Sequence, residues 1–104
     1  MTFEELYQGL KKLSLPVSYD HFTEPVDLPF IVYVDNGRDT FVADEKVWTK
    51  QINIRLELYF SKKDPSLEES LEGRLDEMGL IWEDEATYYI SEEKMYQHNY
   101  FFKI

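Results

Sequence analysis

Between Ile52 and Phe60 the chain reads "INIRLELYF", an alternation of apolar and polar residues without a single error. Ile52, Ile54, Leu56, Leu58 and Phe60 fall on one face; Asn53, Arg55, Glu57 and Tyr59 fall on the other. A period of two is the signature of a half-buried strand, because a helix would scatter the same apolar residues around its whole circumference. Any fold of this chain must therefore contain a sheet packed on one side and wet on the other. "FIVYV", from Phe30 to Val34, is a β-branched and aromatic run, and "TFVA", from Thr40 to Ala43, is its expected partner. Between them, Asn36-Gly37 is the strongest short hairpin signal, since a type I′ turn needs positive φ at both central positions. That turn would place Asp35 opposite Arg38, Tyr33 opposite Thr40 and Val32 opposite Phe41, with opposite charges at the mouth.

The remaining strand signals are weaker. Val17, Tyr19 and His21 alternate with Ser18 and Asp20, and Pro25 and Pro29 bracket an irregular connection. "LIWEDEATYYI" is expected to start as a strand, break at the acidic triplet Glu83-Asp84-Glu85 in an exposed turn or bulge, and resume. The last segment puts Tyr96, His98, Tyr100, Phe102 and Ile104 on one face of a terminal strand. Met95 and Phe101 fall on its other face, with Tyr89 a candidate to join them. That second apolar face calls for a cover, either another layer of the domain or another subunit.

Two segments have helical spacing. Thr2 and Glu5 form a capping box ahead of Phe3, Leu6, Tyr7, Leu10 and Leu13, a helix that ends before Leu15-Pro16. In "SKKDPSLEESLEGRLDEMG", either Asp64-Pro65 or Ser66 with Glu69 opens a helix carrying Leu67, Leu71, Leu75 and Met78, and Gly79 is a natural C′ residue. The order is helix, adjacent strands, helix, more strands. Short links between strands favour antiparallel pairing, so the expectation over residues 1–104 is one α+β domain: an antiparallel sheet with two helices packed on one face.

Composition narrows the chemistry. The chain contains no cysteine, which excludes disulfides, thiolate catalysis and cysteine zinc sites. No apolar run approaches the roughly 18 residues of a membrane span. "MTFEELYQGLKKL" is acidic early and amphipathic, unlike a secretory signal, so a soluble protein in a reducing cytoplasm is expected. A formal net charge of −10 argues against sequence-specific nucleic acid binding and against docking on anionic lipid. With 43% hydrophobic and 16% aromatic residues the chain is not disordered. So many rings in a small domain also point to an interface, where amphipathic aromatics are favoured.

Candidate sites for chemistry are few. Read as a calcium loop from Asp35, the twelfth residue is Lys46 where a bidentate Glu is needed, and strands flank it, so the turn reading stands. His21 and His98 are far apart, and His98 reads as a packed, hydrogen-bonded residue. Glu68, Glu69, Glu72, Asp76 and Glu77 lie between leucines of a helix and read as its solvated face. A catalytic pair would need one desolvated carboxyl, and nothing in the spacing marks one. With four glycines and no nucleophile elbow or zinc motif, the chain is expected to be no enzyme, with no catalytic residue, metal or cofactor.

"LPFIVYV", "FVADEKVW", "INIRLELYFSKKDPSLEESLEGRLDEMGLIW" and "YYISEEKMYQHNYFF" together resemble small head-to-tail joining proteins of long-tailed bacteriophages and prophages. They look like the tail-completion, or tail-terminator, proteins of phages of Gram-positive hosts, from about Leu15 to the end. The resemblance implies a non-enzymatic α+β subunit that self-associates, usually as a sixfold ring, at the head–tail junction of the virion after assembly in the host cytoplasm. Its implied partners are other copies of itself, tail-tube proteins and head-connector proteins. Contact elements are then expected at the hairpin tip, Asn36, Gly37 and Arg38, and at strand edges carrying Trp48, Tyr96, His98, Tyr100, Phe101 and Phe102. Another reading is an acidic inhibitor or immunity-type protein covering a basic toxin or nuclease by charge mimicry. A third is a small enzyme with a convergent carboxylate site.

Overall fold

A computed structural model describes the backbone of residues 1–104 and the side chains of residues 1–46 and 51–104. Its elements are α1 (Phe3–Lys11), β1 (Val17–Tyr19), β2 (Phe30–Ala43), β3 (Lys46–Phe60), α2 (Pro65–Glu77), β4 (Glu83–Asp84), β5 (Tyr88–Ile90) and β6 (Met95–Lys103). The sheet runs β1-β2-β3-β6-β4, and β5 lies beside β4 along the outer edge of β6. Two helices on one face make this an α+β fold. Its strands are antiparallel except β1, which pairs in parallel with β2.

The alternation in "INIRLELYF" sets the layers. Ile54, Leu56, Leu58 and Phe60 are buried, in register with Phe102, Tyr100, His98 and Tyr96 of β6. Across the other edge, Ile31 and Tyr33 of β2 oppose Leu58 and Leu56. Leu6 and Leu10 of α1 and Leu71 and Leu75 of α2 close over this face and complete the core. Each such aliphatic side chain contributes about 1.5–3 kcal/mol by leaving water. The opposite face holds buried Val32 and Val34 and a polar ladder of buried Glu57, Gln97 and Asn99, beside a row of rings in which Phe22 meets Phe30 at 5.3 Å and Phe30 stacks on Tyr59 at 4.9 Å. Met95 and Phe101 are half-buried there. Tyr89 is not on that face: it pairs with Tyr96 and meets its ring at 4.9 Å, while its neighbour Tyr88 opposes Gln97.

The helix ends follow their sequences. Thr2 Oγ1 accepts from the Glu5 amide at 3.1 Å while Glu5 Oε1 accepts from the Thr2 amide at 3.0 Å. Asp64, rather than Ser66, caps α2: its Oδ1 accepts from the Leu67 amide at 3.3 Å, and Pro65 sits in the first turn. At the far end the Gly79 amide donates to Asp76 O and the Leu80 amide to Leu75 O, with Gly79 at φ +74°. That is a Schellman stop, which needs a left-handed residue at C′.

Three expectations change. The chain does not reverse at Asn36-Gly37. Of those two residues only Gly37 has positive φ, +99°, so a type I′ turn cannot form there. The pair opposes the single residue Asn53 in a β-bulge between Asp35↔Ile54 and Arg38↔Ile52, and the real turn is at Asp44 and Glu45, both left-handed. Register decides the matter: only the later turn pairs the apolar run 30–34 with the long alternating strand. The segment Leu80–Trp82 is not a strand; the acidic pair Glu83–Asp84 is the part that pairs, with Phe101 and Tyr100 of β6. Finally, His21 lies beyond β1 and is exposed.

Candidate functional site

With the turn moved to Asp44-Glu45, β2 and β3 extend well past the helices as a two-stranded arm. β1 leaves β2 after Tyr33, and β6 reaches β3 only as far as the Ile52–Ile104 bonds. From Arg38 to Val42 the outer edge of β2 faces no other strand among the described residues. The molecule measures 51 × 28 × 27 Å. Near the arm's end Phe41 and Val42 are 62% and 58% exposed, though a sheet interior would normally claim both.

The root of the arm is anchored by polar bonds. Asn53 Nδ2 donates to Asp39 Oδ1 at 3.3 Å, and Lys103 Nζ donates to Asp39 Oδ2. Arg55 Nη1 donates to Asn36 Oδ1 at 3.5 Å. The Lys103 bond, helped by Asn53, holds the Asp39 carboxyl below its ordinary pKa. Beside this root, Asn36, Ile81, Phe101 and Lys103 line a cleft of about 660 Å³, and Ile81 is 91% exposed.

A second assembly of polar groups lies under α2. His98 Nε2 is 2.8 Å from Asp84 Oδ2, and its Nδ1 is 3.3 Å from the Tyr100 hydroxyl and 3.8 Å from Glu68 Oε2. The Tyr100 hydroxyl donates to Glu72 Oε2 at 2.7 Å, and burial, then Glu72, push its pKa up. Lys63 Nζ donates to both oxygens of buried Glu68 at 2.8 Å. A general base must turn one nitrogen toward a substrate. Here both imidazole nitrogens are occupied by the protein, so the group acts as a clasp joining α2, β4 and β6. Among the described residues no three His, Asp or Glu side chains are arranged to hold a metal ion.

The residues singled out in the sequence are thus dispersed. Asn36 and Gly37 form the bulge, and Arg38 lies on the exposed arm opposite Ile52. The side chain of Trp48 is outside the described residues. β6 is not an edge strand, since β3 flanks it on one side and β4 and β5 on the other. Tyr100 and Phe102 are core residues, His98 is in the clasp, and Tyr96 stacks on Phe60 at 5.7 Å. None of these four offers a broad contact surface; Phe101, half-buried beside Ile81, does more. Sequence reasoning missed Phe41, Val42 and Ile81 as exposed apolar groups, because each reads as strand interior. It also missed Glu68 and Glu72 as clasp residues. Their i, i+4 spacing on the flank of Leu71 and Leu75 was the available signal. In comparisons with protein-family models and with curated proteins, the chain matches none.

Proposed function

We propose that this chain is a non-enzymatic assembly protein of a long-tailed phage or prophage, acting at the head–tail junction. It does so by self-association and by docking on tail-tube and connector subunits. The observation that carries the reading is the arm: a two-stranded ribbon leaving the body, with an open edge and with Phe41 and Val42 exposed near its end. An isolated ribbon gains little by itself, so its apolar end makes physical sense as a surface completed by another protein. The resemblance of the segments quoted above supplies the virion context, and the occupied nitrogens of His98 favour a structural over a catalytic role.

Deleting the gene from its phage tests this reading. Separate full heads and unjoined tails are the expected outcome, restored by supplying the chain in trans; normally joined particles would refute it. A tight, salt-sensitive one-to-one complex with a basic toxin, and no effect on particles, would replace the reading with the inhibitor one.

A further inference from the structure

The bulge at Asn36-Gly37 also fixes a carboxylate. The Gly37 amide donates to Asp35 Oδ1 at 2.9 Å, and the Asp35 amide donates to the Tyr19 hydroxyl at 3.2 Å. Tyr19 in turn meets Phe3 edge to face at 5.8 Å and Tyr33 at 5.5 Å. Phe3, Tyr19, Tyr33 and Asp35 line a surface pocket of about 290 Å³, built from the first turn of α1, the end of β1 and the middle of β2. Tyr33 is its buried floor and Tyr19 its half-exposed wall. The Tyr33 hydroxyl is pushed above its ordinary pKa by burial first, then by Tyr7, Glu4 and Tyr19. Among the described residues no cationic side chain pairs with Asp35.

We propose that this pocket binds a basic side chain, arginine above all, presented by a partner protein. Aromatic rings attract a cation through their faces, and a guanidinium both stacks on rings and matches a carboxylate with its fork of donors. The methylene stem of the same side chain covers apolar surface. A neutral apolar group would desolvate Asp35 without compensation, and an anion would be repelled. The net charge of −10 further favours encounter with basic surfaces. Because Asp35 and Tyr19 are held by the bulge before any ligand arrives, little ordering remains to be done on binding. The inference stands apart from the head–tail reading and holds for any basic partner.

The test is an NMR titration of the full chain at low salt, observing amides and aromatic rings. The probes are N-acetyl-arginine methylamide, its lysine counterpart and the neutral isostere N-acetyl-citrulline methylamide. Saturable shifts are expected at Asp35, Gly37, Phe3, Tyr19 and Tyr33 with the arginine probe, and binding about fivefold weaker with citrulline. Asp35→Asn, which keeps an acceptor for the Gly37 amide and removes only charge, should weaken the arginine probe about fivefold. Tyr19→Leu should weaken it by about threefold or more. Absence of saturable shifts, equal binding of citrulline, or undiminished binding by Asp35→Asn would each overturn the proposal. Tighter binding of the lysine probe would overturn the preference for arginine.

Discussion

A buried imidazole needs a partner for each nitrogen, and His98 has Asp84 of β4 on one side and Tyr100 of its own strand on the other. Replacing it by alanine leaves the buried Glu68 with Lys63 alone and removes the side-chain partner of Asp84, whose backbone pairing with Tyr100 remains. We expect His98→Ala to lose about 2–3 kcal/mol in urea denaturation, the cost of an unmade buried polar contact plus lost packing. Asp84→Asn keeps an acceptor at the same place and should lose under about 1 kcal/mol. Gly37 makes a different demand. A methyl group would meet nothing within 4 Å, yet φ is +99°, so the penalty of Gly37→Ala is conformational, about 1–2 kcal/mol. Equal stability of that variant would mean that the bulge had relaxed. The sequence marked Gly37 as a special backbone position but not as a bulge, because Asn-Gly satisfies a turn and a bulge with the same positive φ. Only the competition for the long strand chooses between them. His98 was legible as a packed histidine; its carboxylate neighbours come from segments 14 and 30 residues away, and nothing local announces them.

At the level of elements, α2 and the arm behave differently. The α2 cap Asp64 is held below its ordinary pKa by Ser66 and by the Leu67 amide, as Asp39 is by Lys103 at the arm root. Each therefore binds a proton more weakly folded than unfolded. Their contribution is fully present above the unfolded value of 3.8 and is lost as pH falls through the lower folded value. Urea midpoints followed from neutral pH into acid should fall, and Asp64→Asn or Asp39→Asn should fall less steeply over that window. An unchanged acid slope would show that these carboxylates do not couple to folding. For the arm, Phe41→Ser with Val42→Ser should leave the unfolding free energy from urea titration within about 0.5 kcal/mol of the parent, since neither residue joins the core. The same pair should abolish self-association in light scattering; a variant that assembles as well as the parent would remove the arm from the contact. The elements easiest to read were those whose local and global signals agree: the capping box of α1, the leucine stripe of α2 and the alternation of β3. The acidic pair of β4 was misread because exposed edge residues carry no burial pattern, and its strand pairing is imposed by β6.

The whole molecule separates charge from apolar contact. Residues 36–52 contain Arg38, Lys46 and Lys50 against Asp39, Asp44 and Glu45, so the arm segment is neutral and the rest of the chain carries the entire −10. On the proposed reading, association through the arm would bring acidic bodies together. Raising salt should screen that repulsion and strengthen self-association, whereas a charge-mimicking complex with a basic partner should weaken. Sedimentation at about 50 and 500 mM salt distinguishes the two. The division also bears on what melting reports. In β2, Ile31 to Val34 lies under the helices while Thr40 to Val42 projects beyond the root bonds of Asp39, so one continuous strand is expected to belong to two regimes of cooperativity. Amides of the first part should exchange with deuterium only on global unfolding, and those of the second through local opening. A thermal scan therefore registers the body and the arm's root held by Asp39: the ribbon beyond it could be cut, trimmed or miswired without moving the transition, and its integrity has to be read amide by amide.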